Sequence, residues 1–239
     1  DGDLPARSGL GSSSSFTVGL IHAIKALRGQ YASKKELAVD AIHIEQEVIK
    51  ENVGSQDQAS AAYGGFNKID FLTSGEVACS PVIIANERRD ALESHMMLFF
   101  TGITRIASEV AKAQIDNISS NYTQLKQMHA MVDEAISILA NKNTSLDEFG
   151  RLLDQAWKYK RGLSTQVSNS VIDELYSNGI KAGALGGKVL GAGGGGFLLM
   201  FVRPEDQAKV REALSGLIHV PFKFEGAGSS VVLYQPNGF

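Results

Sequence analysis

Eight of the fourteen residues from Gly183 to Gly196 are glycine, and the last of them runs straight into Phe197-Leu198-Leu199-Met200-Phe201-Val202. Glycine inside a helix or strand costs roughly 0.5–1 kcal/mol relative to alanine, so glycines at that density need another reason. The segment reads as a glycine-rich loop. A strand follows it, and upstream lies a helix marked by Val171, Leu175 and Tyr176, with Gly179 as its stop. Gly191, Gly193 and Gly196 match GxGxxG. A dinucleotide fingerprint needs a strand before it and a helix after it, and here a strand-like run comes after. Two readings remain. One is a hinge or a packing device. The other is a loop whose backbone lines a ligand, with consecutive N–H groups forming a nest for an anion.

A second loop of the same kind opens the chain, in "DLPARSGLGSSSSF". Gly9 and Gly11 make a turn, and serines occupy the positions where a helix begins. A helix N-terminus has free N–H groups and partial positive charge, which suits phosphate. The same pattern fits an N-cap behind a linker. It is not a Walker loop, because no GK[ST] follows the glycines. Phe16, Leu20, Ile24 and Leu27 recur at helical spacing, so the segment does not read as disordered.

Two such loops point to a polyphosphate. Phosphoryl transfer also needs a metal and a group to take the nucleophile's proton. The acidic candidates are Glu45, behind the stripe Leu37, Ala41, Ile44 and Val48, and Asp57. They share a site only if the chain bends back at Val53-Gly54-Ser55. Otherwise both are solvated helix-face charges.

The remainder reads as mixed helix and strand. Ser33-Lys34-Lys35-Glu36 and Ser145-Leu146-Asp147-Glu148 are capping-box patterns. Strands are expected at Phe66–Leu72, Cys79–Ala85, Met96–Phe100, Phe197–Val202, Val220–Phe224 and Val231–Tyr234. Helices are expected at 57–63 and 104–115, on the stripe from Leu125 to Leu139, and at Pro204. Without strict alternation this is α+β. A composition shift near residues 79 to 90 divides the chain into domains 1–82 and 83–239. The net charge of −3 gives no basic surface for nucleic acid. No apolar run approaches the ~18 residues of a membrane span. The one cysteine, Cys79, fits a reducing, cytoplasmic setting. The five histidines form no HExxH pair and read as structural or surface groups.

These features together resemble the GHMP kinases. The family's phosphate motif P-x-x-x-G-L-G-S-S is matched by Pro5 to Ser13, and its C-terminal glycine motif by Lys188 to Gly196. Gly54-Ser55-Gln56-Asp57-Gln58 is similar to a family segment ending in Asp-Gln. The likeness is strongest to the members acting on heptose 7-phosphate. It implies a two-lobe fold, with a partial N-terminal ATP-binding lobe resembling a ribosomal-protein domain and a C-terminal ferredoxin-like α/β sandwich. It further implies a cytoplasmic kinase using ATP and Mg2+, with a small sugar phosphate as acceptor.

By resemblance Asp57 is the catalytic base, and Ser13 with Glu45 holds magnesium. Gly9, Leu10, Gly11, Ser12, Ser13 and Ser14 line the triphosphate, and Gly193, Gly194 and Gly195 close over phosphates or substrate. The acceptor's own phosphate needs cations, for which Arg7, Arg88, Arg89, Arg105 and Lys188 are candidates, Arg105 and Lys188 foremost. Leu190 stands where many relatives have Thr, so that hydroxyl is missing. The family's motif ahead of the phosphate loop, which carries substrate and nucleotide contacts, does not match in this sequence. This chain alone is accordingly expected to turn over poorly. A kinase for a fucose- or galactose-type sugar, or a sensor of this fold without turnover, are the competing readings.

Overall fold

The computed structural model describes residues 9–235. Pro5 to Ser8, including the candidate Arg7, lie outside the described residues. The chain divides into two compact units.

The first unit contains Gly11–Val82 and the tail from Phe224. Helices α1 (Ser12–Leu27), α2 (Lys34–His43) and α3 (Gln56–Tyr63) pack on one another, and β1 (Asn67–Phe71) and β2 (Val77–Pro81) form an antiparallel hairpin. Small residues allow the close helix packing: Ala38, Ala41 and Ala62 are buried with Val18 and Leu37. Ser33 closes a full capping box with Glu36 at the start of α2, a feature typically worth ~1 kcal/mol. The tail from Phe224 groups with this unit rather than with the second. Lys34 Nζ donates to the carbonyls of Tyr63 and Ala227. A Cβ on Gly64 would lie 2.0 Å from the Gly228 nitrogen, so the tail crosses there backbone to backbone.

The second unit contains Gly9, Leu10 and Ile83–Lys223. Its four strands are β3 (Met96–Phe100), β4 (Gly186–Val189), β5 (Phe197–Phe201) and β6 (Ile218–Val220). They form an antiparallel sheet in the order β4-β5-β3-β6. Helices α4 (Asn86–Ser94), α5 (Ala107–Asp116), α6 (Tyr122–Ala140), α7 (Leu146–Arg161), α8 (Ser170–Lys181) and α9 (Gln207–Ala213) complete it. With α5–α8 between β3 and β4 and α9 between β5 and β6, this is the β-α-β-β-α-β ferredoxin-like order. Met97, Phe99, Trp157, Ile172, Leu198 and Met200 are core residues. Helix α7 lies so close to β4 that a Cβ on Gly186 would come 2.1 Å from the Gly150 oxygen. Among the described residues no helix is long and apolar enough to cross a membrane.

Several elements differ from expectation for physical reasons. The stripe Phe16, Leu20, Ile24 and Leu27 is the exposed side of α1, with Leu27 at 87% exposure, because the helix meets its neighbours through Ser14, Val18 and Ile21. Helix α8 runs through Gly179 instead of stopping there. The glycine makes room for Met200, whose Cε would lie 2.5 Å from an added Cβ. Ser145 caps α7 by accepting from the Asp147 N–H, while Glu148 pairs with Arg151, so no reciprocal box forms. The expected strand from Cys79 ends at Pro81, and α4 follows. The strand expected from Val220 is already ending there. Val231–Tyr234 joins no ladder among the described residues.

Candidate active site

In the first unit the site begins with a distortion. After His43 the helix widens into a π turn, Ile44–Val48, closed by the Ile49 N–H to Ile44 carbonyl bond at 2.8 Å. Such turns add a residue to the helix and are frequent at functional sites. Glu45, 2% exposed, continues the buried line of Ala38 and Ala41, while Val48 beyond it is exposed, so the stripe read from spacing fails at its C-terminal end. Lys50 then takes a left-handed conformation, φ 61°, and is the single non-glycine residue with positive φ among the described residues. The chain doubles back through Val53 to α3.

Glu45 is held by two neutral donors. The Ser14 hydroxyl donates to its Oε2 at 2.9 Å, and Gln58 Nε2 donates to the same oxygen. Its other oxygen, Oε1, is buried with no hydrogen-bond partner among the described residues. The serine on Glu45 is therefore Ser14. Ser13, the expected metal serine, is exposed one position along the helix. Gln58, fully buried, escaped the sequence reading, although it stands beside Asp57 in the "QDQ" run.

Asp57 is in the first turn of α3 and faces the other loop. Gly11, the N-cap of α1, has φ 68°, and a Cβ there would come 3.2 Å from the Asp57 carboxyl. Only glycine adopts that conformation at little cost, and it leaves room for the aspartate. No side chain caps α1, so the amides of its first turn, from Ser12 onward, remain available to an acceptor.

In the second unit Gly9 packs on the glycine loop. A Cβ on Gly191 would be 2.8 Å from the Gly9 oxygen, and one on Gly9 would be 3.1 Å from the Leu190 oxygen. The first glycine of the opening motif thus touches the loop after β4. Gly191, Gly193, Gly194 and Gly196 all have positive φ. Arg105 lies beneath this loop. Its Nε donates to the Gly193 carbonyl, and Nη1 and Nη2 are buried without a partner among the described residues. Burial pushes the guanidinium below the ordinary arginine range.

The other cations separate. Lys188 lies on β4 opposite Leu199, and burial pushes its ammonium down with no carboxylate beside it among the described residues. Arg88 is structural, because its guanidinium donates to the carbonyls of Ile138 and Thr144 at 2.8 and 2.7 Å. Arg89 pairs with Asp90 on the surface. A cavity of about 630 Å³ in the first unit, lined by His22, Leu27 and Val231 among others, contains none of the expected site residues.

Comparison with known proteins matches the N terminal domain of the GHMP kinases to residues 1–65 and their C terminal domain to residues 131–218. The chain belongs to the GHMP kinase family. This GHMP kinase chain is 34% identical over 213 residues to a D-glycero-alpha-D-manno-heptose 7-phosphate kinase of Campylobacter jejuni, covering 89% of this chain and 62% of that protein. It is 30% identical to an L-fucokinase/L-fucose-1-P guanylyltransferase of Bacteroides fragilis, covering 89% of this chain and 23% of the relative. The crystal structure of a D-glycero-D-manno-heptose 1-phosphate kinase from Bacteriodes thetaiotaomicron superposes with a TM-score of 0.71 at 28% identity, covering 95% of this chain and 64% of that one. The chain spans less than two thirds of the length of these relatives.

Proposed function

We propose that this chain belongs to an ATP-dependent sugar kinase that phosphorylates the anomeric hydroxyl of D-glycero-D-manno-heptose 7-phosphate to the 1,7-bisphosphate. The observation that carries this reading is the 34% identity with a heptose 7-phosphate kinase across 89% of the chain. In the reaction the anomeric oxygen attacks the γ-phosphorus, the bond to the β-γ bridging oxygen breaks, and ADP leaves. Asp57 accepts the hydroxyl proton as attack proceeds. The amides at Gly9 to Ser14 and at Gly193 to Gly195 receive phosphate oxygens, which suits a reaction governed by positioning and charge.

No cluster of three or more His, Cys, Asp or Glu among the described residues could hold a metal on its own. Magnesium, however, takes hard oxygen ligands and few protein groups. The partnerless Glu45 Oε1 fits that demand, with Ser14 as the neighbouring hydroxyl in place of the expected Ser13. Bound there, magnesium would neutralise charge on the phosphates. Arg105 and Lys188 are the cations proposed for the acceptor's phosphate.

A coupled ADP-release assay with heptose 7-phosphate tests the reading. Asp57→Asn is expected to abolish turnover and leave ATP affinity within about twofold. A variant that keeps full rate removes Asp57 as the base. The resemblance to the bifunctional fucokinase supports a second reading, a fucose-type acceptor. Turnover of fucose but not of heptose 7-phosphate in the same assay favours it.

A further inference from the structure

Four consecutive carbonyls of the glycine loop are each held by a different side chain. Lys160, on α7, donates to the Gly191 oxygen, and Gln114, on α5, donates to the Ala192 oxygen at 2.9 Å. Arg105 donates to the Gly193 oxygen, and Asn169, the N-cap of α8, donates to the Gly194 oxygen at 3.4 Å. A peptide unit is planar and trans, so its C=O and N–H point in opposite directions. Fixing the oxygen of one residue therefore aims the N–H of the next. The four contacts aim the amides of Ala192, Gly193, Gly194 and Gly195.

One of those amides has an internal use. The Gly194 N–H donates to the Val167 carbonyl at 2.8 Å, and it belongs to the peptide unit held by Arg105. The amides of Ala192, Gly193 and Gly195 have no acceptor among the described residues. They belong to the units held by Lys160, Gln114 and Asn169. The match between clamped carbonyls and unused amides singles out these three residues.

We propose that Gln114, Lys160 and Asn169 are positioning residues, which hold the glycine loop with its free amides directed at a polyphosphate. This deepens the proposed function and rests on its assignment of the loop to phosphate oxygens. The need is physical. Glycine loses more conformational freedom on ordering than any other residue, so an unclamped loop must be ordered by its ligand at a cost in affinity. Clamps from α5, α7 and α8 put that ordering into the fold before the ligand arrives. None of the three touches the ligand in this scheme.

The test is calorimetric titration of the full chain with inorganic tripolyphosphate and with ATP, alongside thermal unfolding. Gln114→Met keeps the length and removes the donor. Asn169→Ser retains an N-cap for α8 and removes the amide. Lys160→Met removes both donor and charge, so Lys158→Met, which takes the same charge from α7 away from the loop, is its control. Losing one hydrogen bond of ordinary strength corresponds to about fivefold weaker binding for Gln114→Met and Lys160→Met. A smaller loss is expected for Asn169→Ser, whose bond is longer. Lys160→Arg should restore binding, Lys158→Met should bind as wild type, and melting temperatures should hardly move. Wild-type affinity in all three variants overturns the positioning role alone, as does a fall in melting temperature without a change in affinity. A wild-type chain that binds neither ligand, or binding unchanged by Gly193→Ala, overturns the loop assignment and this inference together.

Discussion

Replacing Gly186 with alanine tests how tightly α7 sits on the sheet. The new Cβ would lie 2.1 Å from the Gly150 oxygen and 2.7 Å from the Asp154 nitrogen. Non-bonded heavy atoms prefer about 3.5 Å, so helix and strand must separate by roughly 1 Å. Both obstacles are backbone, and no rotamer change relieves them. Overpacking costs typically about 1–3 kcal/mol, and this case belongs at the upper end. For a chain of this size about 3 kcal/mol lowers the melting temperature by about 6–12 °C. The chain carries its own reporter. Trp157 is its one tryptophan, is 1% exposed on α7, and has its ring 6.2 Å from that of Tyr176. Urea titration followed by its fluorescence reads this unit directly. Gly216→Ala is the control, with nothing within 4 Å of the added carbon, and should stay within about 0.5 kcal/mol of wild type. If Gly186→Ala unfolds at the wild-type midpoint by fluorescence and by heat, the reasoning about this contact is wrong.

Two further outcomes are expected. Arg203 hydrogen-bonds Asp147 and holds its carboxyl below the ordinary value of 3.8. A depressed folded pKa contributes stability that is present above that value and lost as pH falls through the folded one. The urea midpoint should therefore drop below about pH 4, and Asp147→Asn should flatten part of that drop; an unchanged acid limb counts against the pair. Lys34→Met removes the ammonium bridging Tyr63 and Ala227. It should lower stability by about 1 kcal/mol and speed proteolysis in the tail from Phe224, while a tail cut at the wild-type rate would show that the glycine crossing at Gly228 suffices.

What was legible in the sequence followed from local signals. Met96–Phe100 and Phe197–Phe201 were readable because an uninterrupted apolar run of that length makes a buried strand. The Ser33 box was readable because both partners lie three residues apart. Helical periodicity located α1 but pointed to the wrong face, since spacing alone cannot say which stripe meets Ala41 and Ala62. Helix α4 was missed because "NERRDALES" has one buried residue, Leu92, and so no stripe. The hydrogen bond of Ser14 to Glu45 was hidden for a related reason. A run of four serines is locally uniform, and only the packing of α1 on the π turn turns Ser14 towards Glu45. Asp57 and Gly11, forty-six positions apart, carry separate expected roles; their contact depends on the return of the chain to α3.

The π turn has a consequence for length as well as identity. An α-helix advances about 100° per residue, so one residue more or fewer within a turn rotates everything beyond it by that angle. Glu45 continues the buried line of Ala38 and Ala41, and the extra residue in Ile44–Val48 acts on the chain beyond it, which returns to Gln58. Deleting the exposed Glu47 would leave Glu45, Ser14 and Gln58 in the chain and turn the return to Gln58 away from the carboxylate. Substitution is the ordinary risk to a buried carboxylate; at this position, the length of the turn beyond it governs its partner as well.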